Sequence, residues 1–154
     1  MMTAAETNVS ERNTVTSVKT SEDEGNSVLK TYICEAEERL NTKSELRNVN
    51  QNVNNTRPSD SYFTKLDSSL KKNTAFVKKI KNFSGLQIES YLKEMSGLNL
   101  SKYVSEIATA IVDTKLKMTD VGPAVKMCSV LHQMYVDFSQ HLFENWQKAL
   151  SLKV

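Results

Sequence analysis

The stretch Ser61–Phe83, SYFTKLDSSLKKNTAFVKKIKNF, constrains the fold more than any other. Phe63, Leu66, Leu70, Val77 and Ile80 follow steps of three, four, seven and three, which sets them on one stripe of a helix. The spacing predicts one core-facing helix, or two short ones broken at Asn73-Thr74, since either residue can cap the second. Pro58 stands where a first turn tolerates it, Ser59 or Asp60 offers a cap, and Ser84-Gly85 stops the run.

The same period recurs downstream. LQIESYLKEM carries Leu86, Ile88, Tyr91, Leu92 and Met95 before Gly97 ends it. Ser101 is the candidate cap of the next element, whose inner face is Tyr103-Val104, Ile107-Ala108, Ile111 and Leu116. Thr119-Asp120 restarts helix with Pro123 in its first turn, and Val121, Ala124-Val125, Cys128, Leu131-His132 and Tyr135 continue it. Ser139 then caps a last element holding Leu142, Phe143, Trp146 and Leu150.

Gly and Pro are scarce, with 4 and 2 copies, and no Asn-Gly or Asp-Gly turn joins alternating segments. An all-α class follows. Connections of a few residues make successive helices antiparallel. Ser101–Lys117 paired with Thr119–Phe138 matches the roughly 40-residue hairpin of stacked, HEAT-like repeats. Each such hairpin leaves one face open until a neighbour covers it. The helix around Trp146 has no successor, so the chain is expected to stop mid-stack, with Leu142 and Trp146 exposed and prone to self-association.

Ahead of Pro58 the character changes. Residues 1–57 hold 7 Lys/Arg against 9 Asp/Glu, a net of −2, whereas residues 58–154 hold 13 against 9, a net of +4. Residues 1–26 show no period and are expected to be a disordered tail. Residues 27–57 read as a charged helix with a thin apolar seam (Leu29, Ile33, Ala36, Leu40, Val49), followed by the Asn-rich linker Asn50–Arg57. Residues 58–154 are the repeat domain.

No apolar run reaches the roughly 20 residues that span a bilayer, and no secretory signal opens the chain. Cys34 and Cys128 are isolated, the usage of a reducing compartment. Cys128 and His132 are four apart on one helix face, but two ligands make no zinc site, and a small hydrophobe and a core histidine are the plainer reading. Glu106 and Asp113, seven apart, read as a solvated face, and His141 as surface or repeat interface. No phosphate loop or nucleophile elbow is present. The reading is a non-enzyme with no cofactor and no metal.

The basic run remains. Lys65, Lys72 and Lys79 repeat at seven, as do Lys71 and Lys78, with Lys81 beside them. Steps of seven keep nearly one angular position, so these ammonium groups line a strip beside the apolar seam. No acid lies between Asp67 and Glu89. The six lysines are therefore the candidate contact for RNA or an acidic partner, which would relieve their mutual repulsion. The plainer alternative is solvation of an outer face.

Two runs, RPSDSYFTKLDSSLKKNTAFVKKIKNF and GLNLSKYVSEIATAIVDTKLKMTDVGPAVKMCSVLHQMYVDF, resemble the first helical-repeat domain of the up-frameshift suppressor two family. SELRNVNQNV resembles the helix preceding that domain, and the likeness runs from about Ser44 to Lys148. FTKLDSSLKKNTAFVKK and GLNLSKY are its most specific words. The resemblance implies a crescent of antiparallel hairpins like the middle domain of initiation factor four-gamma. It also implies a cytoplasmic, perinuclear scaffold of nonsense-mediated mRNA decay. The family's contacts with the decay helicase and the exon-junction-linked partner use regions absent here, which leaves an RNA-binding repeat module as the alternative function. A full domain carries further hairpins, and Ser151–Val154 departs from the pattern, so a fragment or truncated product is expected.

Overall fold

In the computed structural model, the backbone is described for residues 7–151 and the side chains for residues 21–151. Expectations for residues 1–6 and 152–154 lie outside the described residues. The chain divides after Glu45 into two units. Its first element, α1, runs Thr7–Gln51. The helix over residues 7–26 departs from the expected aperiodic tail. From residue 21 to Glu45 only Ala36 is even partly covered, so local hydrogen bonds and propensity hold this part, not burial.

The second unit begins at Leu46. After a 3-10 turn at Val53–Asn55 come α2 (Asp60–Thr64), α3 (Leu70–Lys81) and a second 3-10 turn, Gly85–Gln87. Then follow α4 (Ile88–Gly97), α5 (Val104–Asp113), α6 (Met118–Met134) and α7 (Phe138–Ser151). No strand occurs among the described residues; one isolated parallel bridge joins Asp67 to Leu98. The expected all-α class of stacked hairpins holds. Helices α3, α5 and α7 pack in one row and α4 and α6 in the other, with α6 also touching α7. Phe76, Ile80, Met95, Leu100, Ile107, Met127, Leu131 and Phe138 fill the space between the rows, and Phe83 stacks on Tyr91 at 5.2 Å.

The expectation of one helix, or of two broken at Asn73-Thr74, is corrected: there are two, but the break lies earlier. The chain breaks at residues 65–69, where Asp67 accepts a backbone bond from Asn99 (2.9 Å) and donates one to Gly97 (3.1 Å). Those bonds draw the segment out of helix and reset the phase of α3. Its inner face becomes Asn73, Phe76 and Ile80, while Leu70 turns out to solvent. Asn73 sits inside because its amide donates to the Asn99 carbonyl at 2.9 Å.

Four further local expectations shift. Tyr103, not Ser101, is the N-cap of α5; Ser101 bonds instead to the Asn99 side chain. Helix α7 starts at Phe138 rather than after Ser139. Pro123 is the sixth residue of α6, just past the first turn where it was expected, so the Thr119 carbonyl lacks the bond that a non-proline residue would supply. Leu116, assigned to the inner face, is exposed.

Asp120 joins α6 to the turn before α4. Its carboxylate accepts the Gly85 N–H at 2.8 Å and the Lys117 N–H at 3.2 Å, while its own N–H donates to the Lys117 carbonyl at 2.9 Å. Gly85 allows this approach: a Cβ there would lie 2.9 Å from Pro123 Cγ and 3.0 Å from Asp120 Oδ1.

Candidate functional site

The six lysines do not form one strip. Lys65 is the C-cap residue of α2, and the turn at 65–69 separates it from the five on α3. Within α3, 100° per residue puts Lys72 and Lys79 on one flank and Lys71 and Lys78 directly opposite the buried Asn73–Phe76–Ile80 face, with Lys81 on the other flank.

The Lys72–Lys79 flank is neutralised by acids that sequence spacing placed elsewhere. Lys72 Nζ is 2.6 Å from Asp67 Oδ2, and Lys79 Nζ is 2.8 Å from Glu94 Oε2 on α4. The Lys72 hydrogen bond, followed by the Ser69 N–H, holds the Asp67 carboxyl below its ordinary value, and Asp67 in turn raises Lys72. The expectation of a strip without local acids is thus corrected for these two. Lys65, Lys71, Lys78 and Lys81 are exposed and make no ion pair among the described residues. Lys71 and Lys78, one above the other at two turns' spacing, form the bare cationic line.

A second feature had no signal in the sequence. Asn50–Arg57, read as a linker, is clamped to α6. Arg57 donates through Nε and Nη2 to the His132 carbonyl at 3.2 and 3.1 Å, tying off the last turn of α6. Ser129 donates to the Asn50 side chain at 2.8 Å, His132 Nε2 lies 3.2 Å from the Asn50 carbonyl, and Val53 is buried. Partners 75 to 82 residues apart leave no local pattern to read.

Cys128 and His132 take the plainer role. Burial pushes the Cys128 thiol up to about 11, far from a nucleophile's range. His132 spends one ring nitrogen on the Asn50 carbonyl. Among the described residues no group of three or more His, Cys, Asp or Glu is placed to hold a metal ion. No helix there is long and apolar enough to cross a membrane.

Helix α6 carries two apolar faces. Ala124, Met127 and Leu131 enter the core, and Met127 was not singled out in the sequence. Val121, Val125 and Cys128 line a groove of about 450 Å³ with Ile111 and Leu116, Leu142, Phe143 and Trp146. Trp146 is exposed and Leu142 half-buried.

No protein-family model matches the chain. Regulator of nonsense transcripts 2 from Homo sapiens is 50% identical over 114 residues, 74% of this chain and 9% of that protein. Regulator of nonsense transcripts UPF2 from Arabidopsis thaliana is 40% identical over 97 residues, 63% of this chain and 8% of that protein. The chain therefore spans under a tenth of the length of either relative. The crystal structure of the first MIF4G domain of human nonsense-mediated decay factor UPF2 superposes with a TM-score of 0.75 at 47% identity, covering 77% of this chain and 38% of that one. Sequence and fold agree with the row-on-row hairpins described above, and the chain belongs with the regulator of nonsense transcripts 2 homologues, sharing the all-helical fold of the first MIF4G domain of UPF2.

Proposed function

We propose that this chain is a non-catalytic scaffold of nonsense-mediated mRNA decay, with residues 58–154 forming part of a MIF4G repeat domain and working through protein contacts. The observation that carries the reading is the agreement of 50% sequence identity with a TM-score of 0.75 across the same family. The decay helicase and the exon-junction-linked partner belong to the complex in which it works, reached through regions outside this chain, in the cytoplasm and around the nucleus. The contact made by this domain itself is assigned to Lys65, Lys71, Lys78 and Lys81, with an acidic protein segment as partner. Lys72 and Lys79 support the line by occupying Asp67 and Glu94. A protein partner fits better than RNA, because the bare lysines present no aromatic platform for bases: Phe76 is buried under them and Tyr62 packs edge-on against Phe63. The exposed Phe143 and Trp146 of α7 are offered as a surface for self-association.

The test is affinity capture of surveillance proteins by the full chain and by Lys71→Glu/Lys78→Glu. Both side chains are exposed and unpaired, so the variant keeps its helicity and melting temperature. Loss of captured surveillance proteins supports the reading; capture unchanged by the variant contradicts the assigned surface. Tight, salt-sensitive binding of single-stranded RNA that disappears in the same variant would favour an RNA-binding module instead.

A further inference from the structure

Helix α1 carries an apolar seam that lies open to solvent. Leu29, Ile33, Ala36 and Leu40 follow steps of four, three and four, the heptad spacing that packs one helix lengthwise against another. Leu29 is 55% exposed, Ile33 47% and Leu40 66%. Asn26 and Lys43 extend the seam by three residues at either end, and Glu22 and Arg47 by four more. A lone helix in water gains nothing from such a seam; a partner helix would cover it.

The order of residues along the seam says which helix fits. Its steps read the same in both directions about a point between Cys34 and Glu35. Laid antiparallel on a copy of itself across that point, Leu29 meets Leu40 and Ile33 meets Ala36. Outside these layers Asn26 meets Lys43, and Glu22 meets Arg47, an acid against a base. The flanks match as well: Lys30 faces Glu37 and Tyr32 faces Arg39, a charge pair and a cation beside an aromatic ring. Glu24, Glu38 and Glu45 fall on the side away from the seam. A parallel pair would instead set Glu22, Lys43 and Arg47 each against its own copy, so that like charges meet in every outer layer but one.

We infer that α1 is a self-recognition helix: residues 22–47 of two copies pair antiparallel about a two-fold axis beside Cys34 and bury Leu29, Ile33, Ala36 and Leu40 of both. Every contact occurs twice, and a two-fold arrangement closes on two copies rather than growing. Two kinds of apolar layer, each made twice, are few for a coiled coil, so the dimer is weak and reversible, with a dissociation constant on the order of 100 µM. The charged and polar layers outside them fix direction and register more than they add affinity. The pairing depends neither on the lysine line of α3 nor on Phe143 and Trp146 of α7.

Sedimentation velocity of the full chain across about 5–500 µM tests it, a range that brackets the expected dissociation constant. The unmodified chain is expected to shift from monomer to dimer. Leu40→Glu puts a carboxylate into the seam and should remove the dimer; Leu40 is exposed, so the melting of the second unit stays as it was. Lys30→Glu and Glu37→Lys should each raise the dissociation constant about fivefold or more, and the double reversal should restore it. Restoration is specific to this register, because any other surface of the chain would meet two wrong charges. A monomer at every concentration overturns the inference. So does a dimer indifferent to Leu40→Glu, or a double reversal no tighter than either single change. A dimer lost in Trp146→Glu but kept in Leu40→Glu assigns the contact to α7 and overturns it too. Capture of surveillance proteins by Lys71→Glu/Lys78→Glu is read separately, so either result can fail without the other.

Discussion

Removing the Asp120 carboxylate should cost this fold more than any other single polar change. Asp120→Ala strips the acceptor from two backbone donors at once, the Gly85 N–H at 2.8 Å and the Lys117 N–H at 3.2 Å. A hydrogen bond to a charged group contributes about 1.5–3 kcal/mol, and losing an N-terminal helix cap about 0.5–2 kcal/mol. The two overlap at the Lys117 donor, and water can reach part of the turn, so the sum is discounted to roughly 2–4 kcal/mol. For a unit of about a hundred residues that is a fall in melting temperature of about 10–25 °C. Asp120→Asn keeps one acceptor oxygen and should lose about half as much. The assay is thermal melting by circular dichroism at neutral pH, with Glu106→Ala on the exposed face of α5 as control. A drop of less than 3 °C for Asp120→Ala would show that the bridge between α6 and the turn before α4 is not what fixes the two rows together.

Gly85→Ala should destabilise by about 1–3 kcal/mol, because its Cβ meets Pro123 Cγ at 2.9 Å and the Asp120 backbone at 3.2 Å; melting checks it. Tyr135→Phe should cost about 1–2 kcal/mol in chemical denaturation, since the Leu100 N–H loses its acceptor, the Tyr135 hydroxyl oxygen at 3.1 Å. Arg57→Ala should unpin Asn50–Arg57 from α6, read as faster amide hydrogen exchange at Val53 with the rest of the core unchanged. The Asp67 contact is set by pH in a definite direction. A carboxyl held below its ordinary value contributes stability above that value and loses it as pH falls through the lowered one. Proton titration followed by magnetic resonance should therefore show Asp67 moving up toward the ordinary carboxylate value in Lys72→Ala.

What the sequence showed and what it hid divide along physical lines. Period and turn chemistry are local, so the hairpin α5–α6, a stop before Ser84-Gly85 (α3 ends at Lys81) and the exposed Trp146 could be read from the sequence. The break at residues 65–69 could not. Its cause is a pair of backbone bonds from Asp67 to Gly97 and Asn99, thirty residues away, and it displaced Leu70 and brought in Asn73. Helix α6 misled for another reason: it has apolar residues on two faces, and composition does not say which one the core takes. The seven-residue spacing of Lys71 and Lys78 was legible, but a single six-lysine strip was not what formed: the turn at 65–69 sets Lys65 apart, and Glu94 arrives from α4 only once the helices pack. Arg57 gave no sign at all; its partner is a backbone carbonyl, which every residue offers.

The central claim is that this chain works by being held by other proteins through the outer face of α3. Quantitative affinity purification of the full chain beside Lys71→Glu/Lys78→Glu, matched for folding by circular dichroism and treated with nuclease, tests it most directly. The account predicts that surveillance-complex proteins are enriched with the unmodified chain and fall at least about tenfold with the variant. Equal recovery of those proteins by both, or no enrichment with either, would contradict it.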